Sequence, residues 1–129
     1  MTRFRIAPIP VALAVVILAG CGRGEEEPQV SFQADVVPIL ERHCLECHDA
    51  VGGGTAASGF SVVSYNGVMQ GTQYGPVVLP GDPDSSVLIQ LVEGRADPSI
   101  NMPHGDNRDL YASEKETLRR WVAQGAKDN

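Results

Sequence analysis

Positive charge is scarce in this chain. Ten lysines and arginines stand against sixteen aspartates and glutamates over 129 residues, a formal charge of −6. That balance argues against nucleic acid, whose phosphates demand a basic surface. It favours a partner that presents a basic docking patch. Long apolar runs are also missing. The longest stretch, Ile6 to Leu18, is broken by Pro8 and Pro10 and falls short of the roughly 20 apolar residues that a membrane-crossing helix needs. Strand signals are weak throughout and no internal repeat is visible. Cysteine is scarce too, with Cys21, Cys44 and Cys47 the only three.

What is present begins with an export signal. Met1-Thr2-Arg3-Phe4-Arg5 is a short basic start and the apolar stretch follows it, the order of a secretory signal peptide. Leu18-Ala19-Gly20-Cys21 comes next. This pattern resembles the lipobox of bacterial lipoproteins, and the resemblance implies cleavage before Cys21 and a lipid on its thiol. Residues 1–20 are then the signal peptide. The mature chain keeps 109 of the 129 residues and carries −8, because Arg3 and Arg5 leave with the signal. Several acyl chains hold a protein to a membrane where one does so only marginally. Gly22 follows Cys21 in place of the aspartate that retains enterobacterial lipoproteins at the inner membrane. The expectation is an exported, lipid-anchored protein facing the periplasm or cell exterior, with the outer membrane favoured.

Residues 21–29 include Gly22-Arg23-Gly24-Glu25-Glu26-Glu27-Pro28, a charged tether with nothing to bury. Residues 30–129 form one small domain with a limited core, expected to be monomeric. Ser31 is its first N-cap, and Phe32, Val36, Ile39 and Leu40 recur at helical spacing, interrupted at Pro38. The helix runs into His43 and the cysteines. The stretch from Asp49 to Gly59 reads as a flexible loop. Ser64 to Gln70 forms a short helix ended by Gly71. Asp82 as N-cap with Pro83 behind it starts another, with Val87, Leu88, Leu91 and Val92 buried and Gly94 at its end. Ser113 and Glu116 have the spacing of a capping box for a last helix, whose apolar stripe is Leu118, Trp121 and Val122 and which Gly125 closes. The fold class is all-α, about four short helices joined by long loops.

Cys44-Leu45-Glu46-Cys47-His48 carries the chemistry. C-x-x-C-H is the signature of covalent haem attachment. Two cysteines three apart project from one helical turn in the same direction, so each thiol can add to one haem vinyl group. The adjacent histidine then reaches the iron. Cys44 and Cys47 are the anchors and His48 the proximal ligand. With Cys21 taken by lipid, no thiol remains for a disulfide. A redox-active C-x-x-C pair wants a thioredoxin-like βαβ setting, which is absent. A zinc site wants about four ligands, and no second C-x-x-C pair exists.

The chain resembles a small class I cytochrome c, and within that group the planctomycete-type cytochrome c domain. The resemblance is carried by Phe32, Asp35-Val36-Val37-Pro38-Ile39-Leu40, the motif at 44–48, Pro80-Gly81-Asp82-Pro83, Ser86-Val87-Leu88-Ile89, Met102-Pro103, and Trp121-Val122-Ala123-Gln124-Gly125-Ala126. It implies one haem c, with its iron, inside a class I fold. Candidates for the sixth iron ligand are Met69, Met102, His43 and His104. The class I fold presents a methionine from a loop before the last helix, which selects Met102, and Pro103 restrains the backbone beside it. His43 adjoins Cys44 on the wrong side to reach the opposite face, and reads as a surface or propionate neighbour. Trp121, Tyr65, Tyr74 and Arg95 are possible donors to haem propionates.

The implied function is electron carriage between redox partners, with haem iron held by His48 and Met102 and no bond chemistry on substrates. The alternative is a haem enzyme or gas sensor, peroxidase-like, with an open or displaceable distal site.

Overall fold

The computed structural model describes residues 27–104 and 109–129. All regular structure in them is helical: a π-helical turn Phe32–Val36, then α1 Val37–His43, α2 Leu45–His48, α3 Gly53–Ser58, α4 Tyr65–Gln70, α5 Val87–Val92 and α6 Ala112–Ala123. The class is the expected one, but the chain is cut into more and shorter helices than four. Among the described residues no helix is long and apolar enough to cross a membrane. Residues 1–20, Cys21 and most of the tether lie outside the described residues.

Ser31 caps the first turn as expected, its Oγ accepting from the Ala34 N–H at 3.1 Å. Pro38 falls in the first turn of α1, where a missing N–H costs nothing. The interruption it imposes appears as the π-helical turn immediately before α1. The stripe beyond it buries Val36, Ile39 and Leu40. α6 lays Leu118, Trp121 and Val122 against them, all 1 % exposed or less. Phe32 joins the two segments: its ring lies 5.4 Å from that of Trp121 and meets Tyr65 edge-on at 5.2 Å. The C-terminus closes over this contact. Asn129 Oδ1 accepts from the Phe32 N–H at 2.9 Å, and Gln124 Oε1 from the Val30 N–H at 2.7 Å. The first helical segment is thereby tied to the last.

Three local expectations are corrected. The stretch read as a flexible loop holds α3. Asp49 starts it by accepting the Val51 N–H at 2.8 Å and the Gly52 N–H, and Thr55 Oγ1 donates back to the Asp49 carbonyl at 2.6 Å. Gly59, at φ +79°, ends it, so the glycines bound and pack a helix instead of loosening a loop. Asp82 does not cap α5. Its carboxylate closes a separate turn by accepting the Ser85 N–H at 3.0 Å, and α5 begins only after Ser86. The Ser86 hydroxyl is fully buried and pins that turn, donating to the Asp82 carbonyl at 2.8 Å and accepting from the Leu79 N–H at 2.8 Å. The last helix begins at Ala112, with Tyr111 as N-cap. Glu114, not Glu116, reaches back to the cap, accepting the Tyr111 N–H at 2.8 Å.

Candidate haem cavity

Cys44 ends α1, its N–H donating to the Leu40 carbonyl at 2.8 Å, and the chain turns at once into α2. That single turn is closed on Cys44: its carbonyl accepts from Cys47 at 3.2 Å and from His48 at 2.9 Å. Both cysteines and His48 therefore share one short turn, and all three line the same cavity of about 410 Å³. The volume falls in the roughly 300–1,000 Å³ range of cofactor and ligand sites. The rest of the wall is mostly apolar. Phe60, Val77, Leu88, Leu91, Val92 and Leu110 contribute to it, with Gly53, Gly54 and Ala57 from α3.

His48 is 8 % exposed and rigidly oriented. Its Nδ1 lies 3.0 Å from the Phe60 carbonyl oxygen, which can only accept, so Nδ1 carries the proton and Nε2 keeps its lone pair. The Phe60 ring meets the imidazole edge-on at 5.2 Å. Such a partner on the far nitrogen fixes a ligating histidine's tautomer and raises its basicity. Gly54 supplies the space on the other side. A Cβ there would lie 2.7 Å from His48 Cε1 and 2.8 Å from Nε2. A Cβ at neighbouring Gly53 would meet nothing within 4 Å. Gly54→Ala is therefore expected to cost about 1–3 kcal/mol in overpacking and to lower covalent haem loading by turning the imidazole. Gly53→Ala is expected to be neutral or stabilising by up to ~1 kcal/mol through helix propensity. Thermal unfolding and the haem-to-protein absorbance ratio of the two variants check this pair.

Cys44 is half-buried and Cys47 exposed, and neither is in a disulfide. Burial, with Cys47 beside it, pushes the Cys44 thiol up to about 11. This is the reverse of the depressed value that marks a thiolate nucleophile or redox pair. Among the described residues no three His, Cys, Asp or Glu side chains converge to hold a metal ion on their own.

Another part of the wall comes from the loop after α5. Met102, Pro103 and His104 all line the cavity, and the Met102 N–H points to the Leu91 carbonyl at 3.4 Å. Of the four candidates for a sixth ligand, Met102 and His104 therefore reach the cavity from this loop. Met69 does not line it and packs against the hydrophobic core from α4.

His43 is not a surface residue. Its side chain is 3 % exposed and forms part of the cavity wall. Its Nε2 lies 3.0 Å from Glu114 Oε2, and Arg42 binds the other carboxylate oxygen. Burial opposes ionisation of Glu114, yet the Tyr111 N–H, His43 and Arg42 together hold its carboxyl below the usual range. Glu114 was missed in the sequence, although it precedes Leu118 by four residues and so continues the buried stripe of α6. None of the four proposed propionate donors lines the cavity. Trp121 Nε1 donates to the Lys127 carbonyl at 3.0 Å and the Tyr65 hydroxyl to the Ala126 carbonyl at 2.8 Å. Tyr74 is 86 % exposed, and Arg95 pairs with Glu93 at 2.6 Å.

Two thiols on one turn, an imidazole whose Nδ1 is held by a carbonyl, an apolar chamber and a methionine sulfur in its lining form a donor set that fits haem c. Residues 44–106 match the family model described as planctomycete cytochrome C. The match starts at Cys44 and ends just past His104, so α1 and α6 flank it. No curated protein and no solved structure matches the chain.

Proposed function

We propose that this chain, which carries a cytochrome c domain of the planctomycete type, is a lipid-anchored carrier of single electrons with one His/Met-ligated haem. The observation that carries the reading is the His48 imidazole, its Nδ1 held by the Phe60 carbonyl, in the wall of a cavity that Met102 also lines. Haem c, when bound, supplies a one-electron iron couple. The protein's part is attachment, orientation and exclusion of competing ligands. Cys44 and Cys47 would hold the group covalently, each by addition of its S–H across one vinyl group. His48 offers Nε2 to the iron, and Phe60 keeps the proton on Nδ1 throughout. Met102 would supply a thioether sulfur, a soft ligand that favours the reduced metal and raises the potential relative to a second histidine. A haem held by both side chains would have no iron position left for substrate or gas.

The anchor in this proposal is Cys21, with residues 22–29 spacing the domain from the membrane on the periplasmic or outer face. The acidic mature chain selects redox partners with basic docking patches, and that attraction weakens as salt screens it. The test is the absorption spectrum of the purified protein, oxidised and reduced, with and without carbon monoxide. The expected result is a reduced spectrum that carbon monoxide leaves unchanged and an oxidised spectrum with the long-wavelength band of sulfur-ligated iron. Ready carbon monoxide binding by the unaltered protein would overturn the closed carrier in favour of a sensor or peroxidase-like enzyme.

A further inference from the structure

The acidity of the chain is not spread evenly. The 32 residues from Ala50 to Gly81 contain no aspartate, glutamate, lysine, arginine or histidine, in a chain whose overall composition is 20 % charged. This segment builds α3, α4 and the tight turn at 72–75. α3 is also a stretch of cavity wall that faces solvent, since Gly53 and Ala57 line the cavity and are exposed. We infer that this uncharged face seats the redox partner, with Val51 and Tyr74 as its anchors and α3 between them. The inference rests on the carrier reading above.

Val51 and Tyr74 are each 86 % exposed, and each stands on a fixed backbone. The Val51 N–H donates to Asp49 Oδ1 at 2.8 Å, immediately before Gly52, the N-cap of α3. In the turn at 72–75 the Thr72 N–H donates to the Gly75 carbonyl at 2.9 Å and the Gly75 N–H returns to the Thr72 carbonyl at 3.0 Å. The Tyr74 N–H donates to Thr72 Oγ1 at 3.1 Å. The turn is fastened to the far end of α3, where the Gln73 N–H donates to the Ser58 carbonyl at 2.8 Å and Gln73 Nε2 to the Ala57 carbonyl at 3.1 Å. The two anchors therefore mark the ends of a six-residue helix, about 9 Å long at 1.5 Å per residue. Between them the exposed helical positions include Gly53, Ala56 and Ala57, too small to hold a partner's surface away. Anchors already fixed in place have little freedom left to lose on association, and tyrosine is among the residues whose truncation costs an interface most.

Continuity with the cavity identifies the occupant. A protein seated on α3 is parted from the cavity there by glycine and alanine alone. Interface centres are depleted in charge and ringed by polar groups. Acidic residues outside the segment supply that ring, among them Glu46, exposed on α2, which packs against α3. The matching partner carries an uncharged, apolar centre with basic groups at its rim. The rim speeds encounter and the centre holds the complex. One electron then leaves the reduced protein and enters the oxidised one, with no bond made or broken.

The test mixes the haem-bearing full chain with a basic monohaem cytochrome c as the probe and follows electron transfer by stopped flow in the thermodynamically favoured direction. Tyr74→Ser should slow second-order transfer about tenfold with its midpoint potential unchanged, and the defect should persist at high salt because no charge has changed. Ala56→Lys should slow transfer by a similar factor. Ala123→Lys, the same charge placed on α6 outside the segment, should change it about twofold or less. Wild-type rates in both Tyr74→Ser and Ala56→Lys overturn the inference. Equal slowing by the two lysine variants with a wild-type rate in Tyr74→Ser reduces the effect to net charge and overturns it as well. Protection of the 72–75 turn from hydrogen exchange by phosphatidylcholine vesicles alone would assign the face to a lipid surface, and protection on raising the chain's own concentration would assign it to a second copy. Either result overturns the proposal. Absence of covalent haem or of a reversible couple contradicts the carrier itself, whereas a reversible couple whose transfer ignores Tyr74 and Ala56 contradicts only this proposal.

Discussion

Met102→Ala is expected to turn a protein indifferent to carbon monoxide into one that binds it stoichiometrically. The side chain lines the cavity from the loop after α5, and alanine has no donor to offer an iron. The reduced variant gains an open site, and the oxidised variant loses the long-wavelength sulfur band. The midpoint potential falls as well, because the soft thioether no longer favours the reduced metal. A drop of at least ~59 mV, a tenfold change for a one-electron couple, is the smallest consistent with this ligand. His104→Ala should leave both spectrum and potential close to wild type. If His104→Ala opens the site and Met102→Ala does not, the assignment of the loop is reversed. Met69→Ala should affect only stability, since Met69 packs in the core away from the cavity.

The second large effect concerns folding. Cys44→Ala/Cys47→Ala cannot form either thioether and is expected to lose haem and cooperative unfolding together. The cavity explains the size of the effect. At about 24 cal/mol per Å³, an enclosed void of 410 Å³ would cost ~10 kcal/mol, comparable to the whole stability of a small domain, about 5–15 kcal/mol. Opening to solvent relieves part of that cost. Even a third of it, roughly 3 kcal/mol, lowers the melting temperature of a domain this size by about 12–24 °C. Calorimetry on haem-bearing wild type and the double variant measures the difference. A double variant that melts cooperatively at the wild-type temperature would mean the fold does not depend on a group in the cavity.

The parts of the site legible in the sequence are those set by local spacing. The motif at 44–48 had to place two thiols and an imidazole on one turn, and α2 does so because three residues span nearly one helical repeat. Met102 was singled out from its polar loop setting and the class I resemblance, and it lines the cavity together with His104. The apolar stripes of the first and last helices were equally readable, because burial follows the helical period.

What was missed depends on contacts between distant segments. His43 read as a surface or propionate neighbour because it adjoins Cys44 on the wrong side to reach the opposite face, yet its side chain is buried against Glu114, 71 positions away. Gly54 looked like slack in a loop, and its role depends on an imidazole six residues earlier that folds back over it. Asp82-Pro83 had the local signature of a helix start. The buried Ser86 hydroxyl captures that segment as a turn and delays the helix until Leu88 and Ile89 can be buried. The possible propionate donors came from the family resemblance, with no spacing to assign them. Two of them, Trp121 and Tyr65, spend their hydrogens on the C-terminal backbone around Ala126 and Lys127.

Mass spectrometry of the exported protein tests the central claim most directly. After digestion, the peptide containing Cys44, Cys47 and His48 should carry the mass of exactly one haem, with no free thiol left to alkylate on either cysteine. A peptide of unmodified mass, with Cys44 and Cys47 reduced or joined to each other, would contradict it.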